Sequence, residues 1–338
     1  MGYDATVLMN VYNAAPYLRQ SISSILNQTF SNFEFLIIDD GSTDESVEII
    51  RSFNDTRIRL CFNEKNLGIM TTLNKGLSLA SCDLVARLDA DDISYPERLQ
   101  LQFDFFQQNP DCVLLSTSVR VVSDSGEPLY VDDFDRLYNA YNVNFICPIY
   151  QSSVMYRKNI VEKIGGYRAP YGVEDFELWW RLSREYKIDH LQKVLLDYRM
   201  ANTSFSNVSH REENRQAQRN LLLKHVKYFA GNNFQLTFGE IECLRHDFSF
   251  FEERMKVKEI VACIIKLDYL NNIILTTPNL NYSPLQIVPY AENKRDYIVY
   301  YFYTRLPRLK AISLLLRTQP LKTIFKKFKS ALLPKSTI

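Results

Sequence analysis

Glycine is scarce in this chain, at 10 of 338 residues, which excludes collagen-like or glycine-rich material and leaves few tight turns. Neither charge sign dominates: 40 Lys and Arg face 39 Asp and Glu, so no global charge points to nucleic acid. The six cysteines, Cys61, Cys82, Cys112, Cys147, Cys243 and Cys263, contain no Cys-x-x-Cys pair. The four histidines, His190, His210, His225 and His246, show no ligand spacing. A zinc site or a disulfide framework is therefore not expected, and reduced buried thiols are. No uninterrupted apolar run reaches the roughly 18 residues of a membrane span. The best stretch, 260–275, is broken by Lys266 and Asp268. The first residues lack the basic and apolar regions of a signal peptide, so a cytoplasmic location is expected. The G-x-x-x-x-G-K-[ST] loop is missing, and no G-x-G-x-x-G follows the first strand, so a P-loop or dinucleotide fold is unsupported.

What the chain has is an alternation of strand and helix patterns over its first two hundred residues. Residues 5–9, 34–39, 57–62, 84–88 and 112–122 read as strands. Residues 15–27, 68–80 and a stretch ending near Gln108 read as helices between them. Ser42 with Glu45, and Ser94 with Glu97, have the spacing of capping boxes, with Pro96 in the first turn of the second helix. This order predicts an α/β fold with a mostly parallel sheet and helices on both faces. The rhythm changes near residue 206 to mainly helical patterns. Two domains are expected: 1–206, and a helical region 207–338.

From Arg305 to the end there are nine basic residues and no acidic one, which leaves the rest of the chain at −8. Leu321, Ile324, Phe325, Phe328 and Leu332 fall on one helical face, with Lys322, Lys326, Lys327 and Lys329 around it. This is the pattern of an interfacial membrane anchor, and equally of a helix docked on its own protein.

Two acidic clusters follow buried strands: Asp39-Asp40-Gly41-Ser42-Thr43-Asp44 and Asp89-Ala90-Asp91-Asp92. Each falls at the carboxyl edge of the predicted sheet, where open α/β sheets bind ligands. Carboxylates gathered there repel unless a cation lies among them. Mg²⁺ or Mn²⁺ uses one or two carboxylates and completes its shell with substrate phosphates. Ser42 as a helix cap explains part of the first cluster; two clusters after successive strands are harder to explain structurally. A third group, Glu174-Asp175 opening the aromatic helix Phe176-Glu177-Leu178-Trp179-Trp180-Arg181, suits the helix dipole. It also suits a general base beside an acceptor groove walled by Trp179 or Trp180.

Together these segments resemble the family 2 glycosyltransferases of the GT-A fold. The resemblance rests on Val7–Asn13, Ser24–Phe30, Phe33-Glu34, the Asp39 cluster, Asn66-Leu67-Gly68, Leu73-Asn74-Lys75-Gly76, Ala86–Arg98, Gly165-Gly166-Tyr167, Glu174–Arg181, Asp197-Tyr198-Arg199 and Ser204–Ser206. It covers about residues 5–206 and points to the subgroup that decorates bacterial surface polysaccharides. It implies a GT-A Rossmann-like α/β/α sandwich and an inverting, metal-dependent transfer of a hexosyl or N-acetylhexosaminyl group. The implied donor is a nucleotide-diphosphate sugar, foremost UDP-linked; the implied acceptor is a glycan or a lipid-linked saccharide. It assigns Val11, Tyr12, Asn13, Asp39 and Asp40 to the nucleoside, with Asn74, Arg87, Asp89 and Ala90 on the donor side. Asp91 is the implied metal ligand, Asp89 reaching ribose or a metal-bound water. Asp175 is the implied base, and Glu174, Trp179 and Trp180 the acceptor side. A peripheral location on the inner face of the membrane through 321–333 is the corresponding expectation for the tail. Asn10 stands where proline is usual, and Gln151 and Ala201 where histidine is common. The competing readings are a non-catalytic nucleotide-sugar or carbohydrate-binding relative, and a nucleotidyltransferase.

Overall fold

The structure is a computed structural model that describes residues 2–169, 172–200 and 211–318. The chain divides into two compact units, Met1–Leu221 with Asn279–Tyr282, and Leu222–Pro278 with Ser283–Ile338. The division falls inside a helix, Arg211–Ala230, and not at the change of rhythm near 206. The excursion 279–282 belongs to the first unit: the Asn281 amide donates to Ser183 O (2.9 Å) and accepts from Ile188 N (2.7 Å).

In the first unit, β1 (Ala5–Val11), β2 (Phe33–Asp39), β3 (Ile58–Phe62) and β4 (Leu84–Arg87) pair in parallel in the order β3-β2-β1-β4. β2 shows why. Its residues are buried throughout, Phe33, Phe35 and Ile37 on one face and Leu36 and Ile38 on the other. A strand covered on both faces needs such a continuous apolar run. Helix α1 (Ala15–Leu26) covers one face with Leu18, Ile22 and Ile25, and α3 (Ile69–Leu79) the other with Leu73 and Leu77. Short α2 (Ser46–Arg51) lies between them in sequence.

Beyond β4 the sheet is mixed, where the sequence pattern predicts a mostly parallel one. It continues β8-β6-β9-β5, with β7 paired to β6. β8 (Met155–Arg157) runs antiparallel to β4 and β6, and β5 (Ile93–Ser94) antiparallel to β9 (Lys187–Met200). β6 (Cys112–Ser123) is parallel to β9 and forms a hairpin with β7 (Pro128–Asp132). The physical reason is where β8 begins. The preceding turn Gln151–Ser153 sits by the carboxyl end of β4, tied by Arg87 N to Val154 O (2.9 Å), so the chain can only run back.

Neither expected capping box forms. Ser42 accepts through Oγ from Asn13 N (3.0 Å), and α2 begins four residues later. Ser94 lies in β5, its Oγ held by Gln28 Nε2 (3.2 Å), and α4 (Arg98–Gln108) starts without a side-chain cap. In each case a tertiary partner takes the hydroxyl. The remaining helices of this unit are α5 (Arg136–Asn142), α6 (Lys158–Lys163), α7 (Glu174–Glu185) and the first half of α8 (Arg211–Ala230).

The second unit is helical: the end of α8, α9 (Phe238–Leu244), α10 (Ser249–Arg254), α11 (Val257–Thr276), α12 (Pro284–Arg305) and α13 (Arg308–Thr318). Capping boxes do form here, at Thr237 with Glu240 and at Ser283 with Gln286. Buried Leu267, Leu270, Ile298, Phe302 and Leu314 make its apolar interior. Among the described residues no helix is long and apolar enough to cross a membrane. The expected amphipathic stretch 321–333 lies outside the described residues.

Candidate active site

The carboxyl ends of β1 and β4 open on a cleft of about 870 Å³ in the first unit. Two loops build one side of it. After β1, Tyr12 is half exposed and Asn13 takes a left-handed conformation (φ 51°), which asparagine tolerates better than most residues. The loop after β2 holds it there. Thr43 N donates to Asn13 Oδ1 (2.8 Å), Ala14 N to Ser46 Oγ (2.9 Å), and Ala15 N to Asp44 Oδ2 (3.0 Å).

The two adjacent carboxylates divide their work. Asp40 lines the cleft, yet both its oxygens are engaged: Asn63 Nδ2 (2.7 Å) and Leu67 N (2.9 Å) donate to Oδ1, and Gly68 N (3.0 Å) to Oδ2. It thereby fixes the entry to α3. Asp39 is buried behind the loop and does not line the cleft. Its Oδ2 accepts from Gly41 N (3.2 Å) and Ser42 N (3.1 Å), while Oδ1 has no partner among the described residues. Gly41 is required here: at φ 75° a Cβ would lie 2.7 Å from the Lys65 backbone.

The β4 end supplies the second carboxylate group. Asp89 N donates to Ser152 Oγ (2.9 Å), and the fully buried Arg87 guanidinium donates to Asp89 Oδ1 (2.7 Å). Arg87 is thus placed behind Asp89 and out of the cleft. Asp89, Ala90 and Asp91 line the cleft. Burial, then the charge of Asp89, pushes Asp91 up to about 6. Asp92 turns inward to accept from Arg199 N (2.8 Å); burial, then its acidic neighbours, holds it well above the usual carboxylate range.

The third element is the start of α7. Glu174 and Asp175 line the same cleft. Gly172 N donates to Glu174 Oε2 (2.8 Å), Phe176 N to Asp175 Oδ1 (2.6 Å), and the Cys147 thiol lies 3.8 Å from Asp175 Oδ2. Burial above all pushes Asp175 to about 6; burial, then the charge of Asp175, pushes Glu174 to about 7. Carboxyl groups poised near neutrality in a cleft suit proton transfer.

Several expected site residues lie elsewhere. Trp179 and Trp180 do not wall the cleft. They point into the core with Val161 and Leu178, because the apolar face of α7 must cover the sheet. Asn74 also faces away, its amide clamping the Tyr167 backbone (2.8 and 2.9 Å). That clamp requires Gly166, where a Cβ would meet Asn74 Oδ1 at 2.4 Å. The departures Asn10 and Gln151 both line the cleft, whereas Ala201 and Ser204–Ser206 lie outside the described residues. Sequence reasoning gave no role to Tyr150, Tyr198 and Arg199, which line the cleft. Tyr150 and Tyr198 pack with ring centroids 4.7 Å apart. Arg199 donates to Asp91 O (3.0 Å) and Asp124 O (2.7 Å). The signal for Tyr198 and Arg199 was the Asp197-Tyr198-Arg199 segment, which only pairing along β9 carries to the cleft; Tyr150 had none.

The fit of a divalent cation can be read from the donor set. Among the described residues no three His, Cys, Asp or Glu side chains form a metal cage. Asp89 and Asp91 offer two hard oxygen donors, which suits Mg²⁺ or Mn²⁺ completed by phosphate oxygens.

Comparison with known proteins bears on the family and the fold. The family model for glycosyl transferase family 2 matches residues 6–165. The O-antigen biosynthesis glycosyltransferase WbnJ of Escherichia coli is 30% identical over 208 residues, which span 59% of this chain and 80% of WbnJ. The amylovoran biosynthesis glycosyltransferase AmsE of Erwinia amylovora is 31% identical over 208 residues, 57% and 75% of the two chains. Among solved structures, S. aureus TarS 1-349 in complex with UDP-GlcNAc superposes with a TM-score of 0.55 at 18% identity, covering 89% of this chain and 90% of that one. The mannosyltransferase PcManGT from Pyrobaculum calidifontis in complex with GDP-Man and Mn²⁺ superposes with a TM-score of 0.52 at 15% identity, covering 99% and 82%. The chain belongs to the family 2 glycosyltransferases, and its α/β unit has the GT-A fold.

Proposed function

We propose that this chain is an inverting glycosyltransferase that moves a hexosyl or N-acetylhexosaminyl group from a UDP-linked donor to a hydroxyl of a glycan or lipid-linked saccharide. The observation that carries the reading is the convergence of Asp89 and Asp91 with Asp175 in one cleft, from segments more than eighty residues apart. The names of WbnJ and AmsE support a place in surface polysaccharide assembly, and UDP-GlcNAc on TarS supports the donor class.

In this reading Tyr12 and the Val11–Asn13 loop, which line the cleft, take the base. Asp89, oriented by Arg87, faces the ribose and diphosphate. Asp91, with Asp89 reaching it through a water, would hold a Mn²⁺ or Mg²⁺ ion, which would supply positive charge against that developing on the leaving diphosphate. Asp175 takes the proton of the acceptor hydroxyl as that oxygen attacks the anomeric carbon from the face opposite the leaving group. A sugar hydroxyl is a poor nucleophile until a carboxylate removes its proton.

The test is calorimetry with UDP. Wild-type affinity should depend on Mn²⁺, and Asp91→Asn should bind at the metal-free level; unchanged affinity and metal dependence would remove Asp91 from this role. Release of UDP from a UDP-sugar by the wild type separates an enzyme from a non-catalytic relative. Membrane association through 321–333 is proposed from the sequence. It is supported by α13, where Leu309, Ile312 and Leu316 are exposed along one stripe beside Arg308 and Arg317. The proposed location is the cytoplasm, on the inner face of the membrane.

A further inference from the structure

The hairpin strand β7 and the start of α5 carry an apolar surface that the reading above leaves unused. Leu129, Tyr130 and Val131 are each about half exposed, so both faces of this strand are open. Among the described strands β7 pairs only with β6. Phe134, exposed nearby in sequence, stacks on Tyr138 with ring centroids 3.9 Å apart. Exposed apolar residues grouped in this way mark interaction sites.

The surface is continuous with the cleft. Alternation along a strand puts Tyr130 and Asp132 on one face of β7. The Tyr150 hydroxyl donates to Asp132 Oδ2, and Tyr150 itself lines the cleft against Tyr198. Burial, the Asp132 bond and the nearby Tyr130 phenol all hold the Tyr150 hydroxyl protonated far above its usual range. Three tyrosines, Tyr198, Tyr150 and Tyr130, therefore lead from the cleft that holds Asp175 out to the edge of the sheet.

Charge selects the partner. Glu127, Asp132, Asp133 and Asp135 flank these rings in sequence with Arg136 the one basic residue among them, and Arg120, opposite Val131, is paired with Asp197; the net negative charge disfavours an anionic bilayer or nucleic acid. A second copy paired edge to edge about a two-fold axis would set Glu127 against the partner's acidic end of β7, which is unfavourable. A hydroxyl-rich saccharide suits both components, the rings taking the apolar faces of its pyranoses and the carboxylates accepting from its hydroxyls. We propose that Tyr130, Asp132, Phe134 and Tyr138 form an extended acceptor subsite, which holds the preceding units of a saccharide chain while its terminal hydroxyl reaches Asp175. This rests on the transferase reading and adds the acceptor class: an oligosaccharide, not a single sugar.

The test is binding of the full-length chain, with UDP and Mn²⁺ present, to an array of immobilised bacterial and synthetic oligosaccharides. Wild type should bind a subset of chains of three or more units. Tyr130→Ala and Phe134→Ala should each lower that signal about tenfold, with less effect on monosaccharides, while calorimetric UDP affinity stays at the wild-type value. Absence of saccharide binding by the wild type, or equal binding by wild type and both variants, overturns the subsite. So does a dimer in light scattering that either substitution dissolves. Loss of UDP binding in the wild type would instead remove the transferase reading.

Discussion

Asp175 shows how one residue's surroundings set its chemistry. Its Oδ1 is spent on the Phe176 amide at the first turn of α7, which leaves Oδ2 toward Cys147 and the cleft. Asp175→Asn should retain UDP affinity and lose about 10²–10⁴ in transfer rate, the usual worth of a positioned base. A wild-type rate in this variant would move the role to Glu174. Burial raises the folded-state value of Asp175 to about 6, so the active carboxylate is lost as pH falls through that value. The transfer rate should be level above about pH 6 and drop about tenfold per unit below it; a rate-against-pH profile that stays flat to pH 4.5 would contradict the assignment.

At the scale of elements, the loops after β1 and β2 form one clamp whose tightness depends on Gly41. Gly41→Ala sets a Cβ against the Lys65 backbone at a positive φ. It should cost about 1–3 kcal/mol of stability and weaken UDP binding, measured by denaturant titration and calorimetry. In the helical unit, Lys294 of α12 is fully enclosed, its Nζ 2.9 Å from His246 Nε2, and burial lowers it to about 7 from 10.5. The unfolded chain then binds more protons than the folded one between those values, so stability contributed at this site rises with pH across that window. Lys294→Met should be more stable than wild type near pH 7, with the difference shrinking toward pH 10. A pH-independent difference in Tm would contradict the burial argument.

For the whole molecule, the asymmetry of charge is the feature with the widest consequence. Nine basic residues and no acid from Arg305 onward face a remainder at −8. Near an anionic leaflet each lysine contributes about 1 kcal/mol, which falls off within a Debye length. Co-sedimentation of the full chain with anionic vesicles should exceed that of a chain ending at Gln319, weaken in high salt, and vanish on neutral vesicles. Equal pelleting, or a fall of several degrees in Tm on truncation, would make the tail a structural part of the helical unit.

The sequence by itself determined the strands β1 to β4, because buried parallel strands must be continuous apolar runs. It determined the acidic clusters at their ends too, because Asp39-Asp40 and Asp89-Ala90-Asp91 stand immediately after those runs. It also located Glu174-Asp175 at a helix start. Only the tertiary structure decided which of these groups share a cleft. Asp39 and Asp40 are neighbours with the same chemistry, and hydrogen bonds from residues 63–68 separate their roles. Trp179 and Trp180 carried a functional signal in sequence, yet the burial of an amphipathic helix face turned them into the core. Ser42 and Ser94 had capping spacing, but more distant partners claimed their hydroxyls. Arg199 and Tyr150 reach the site through the antiparallel return of the chain at β8 and the long pairing of β9 with β6. Local pattern records what each segment can bury or cap; it holds no record of which distant segment will compete for the same surface or the same hydrogen bond.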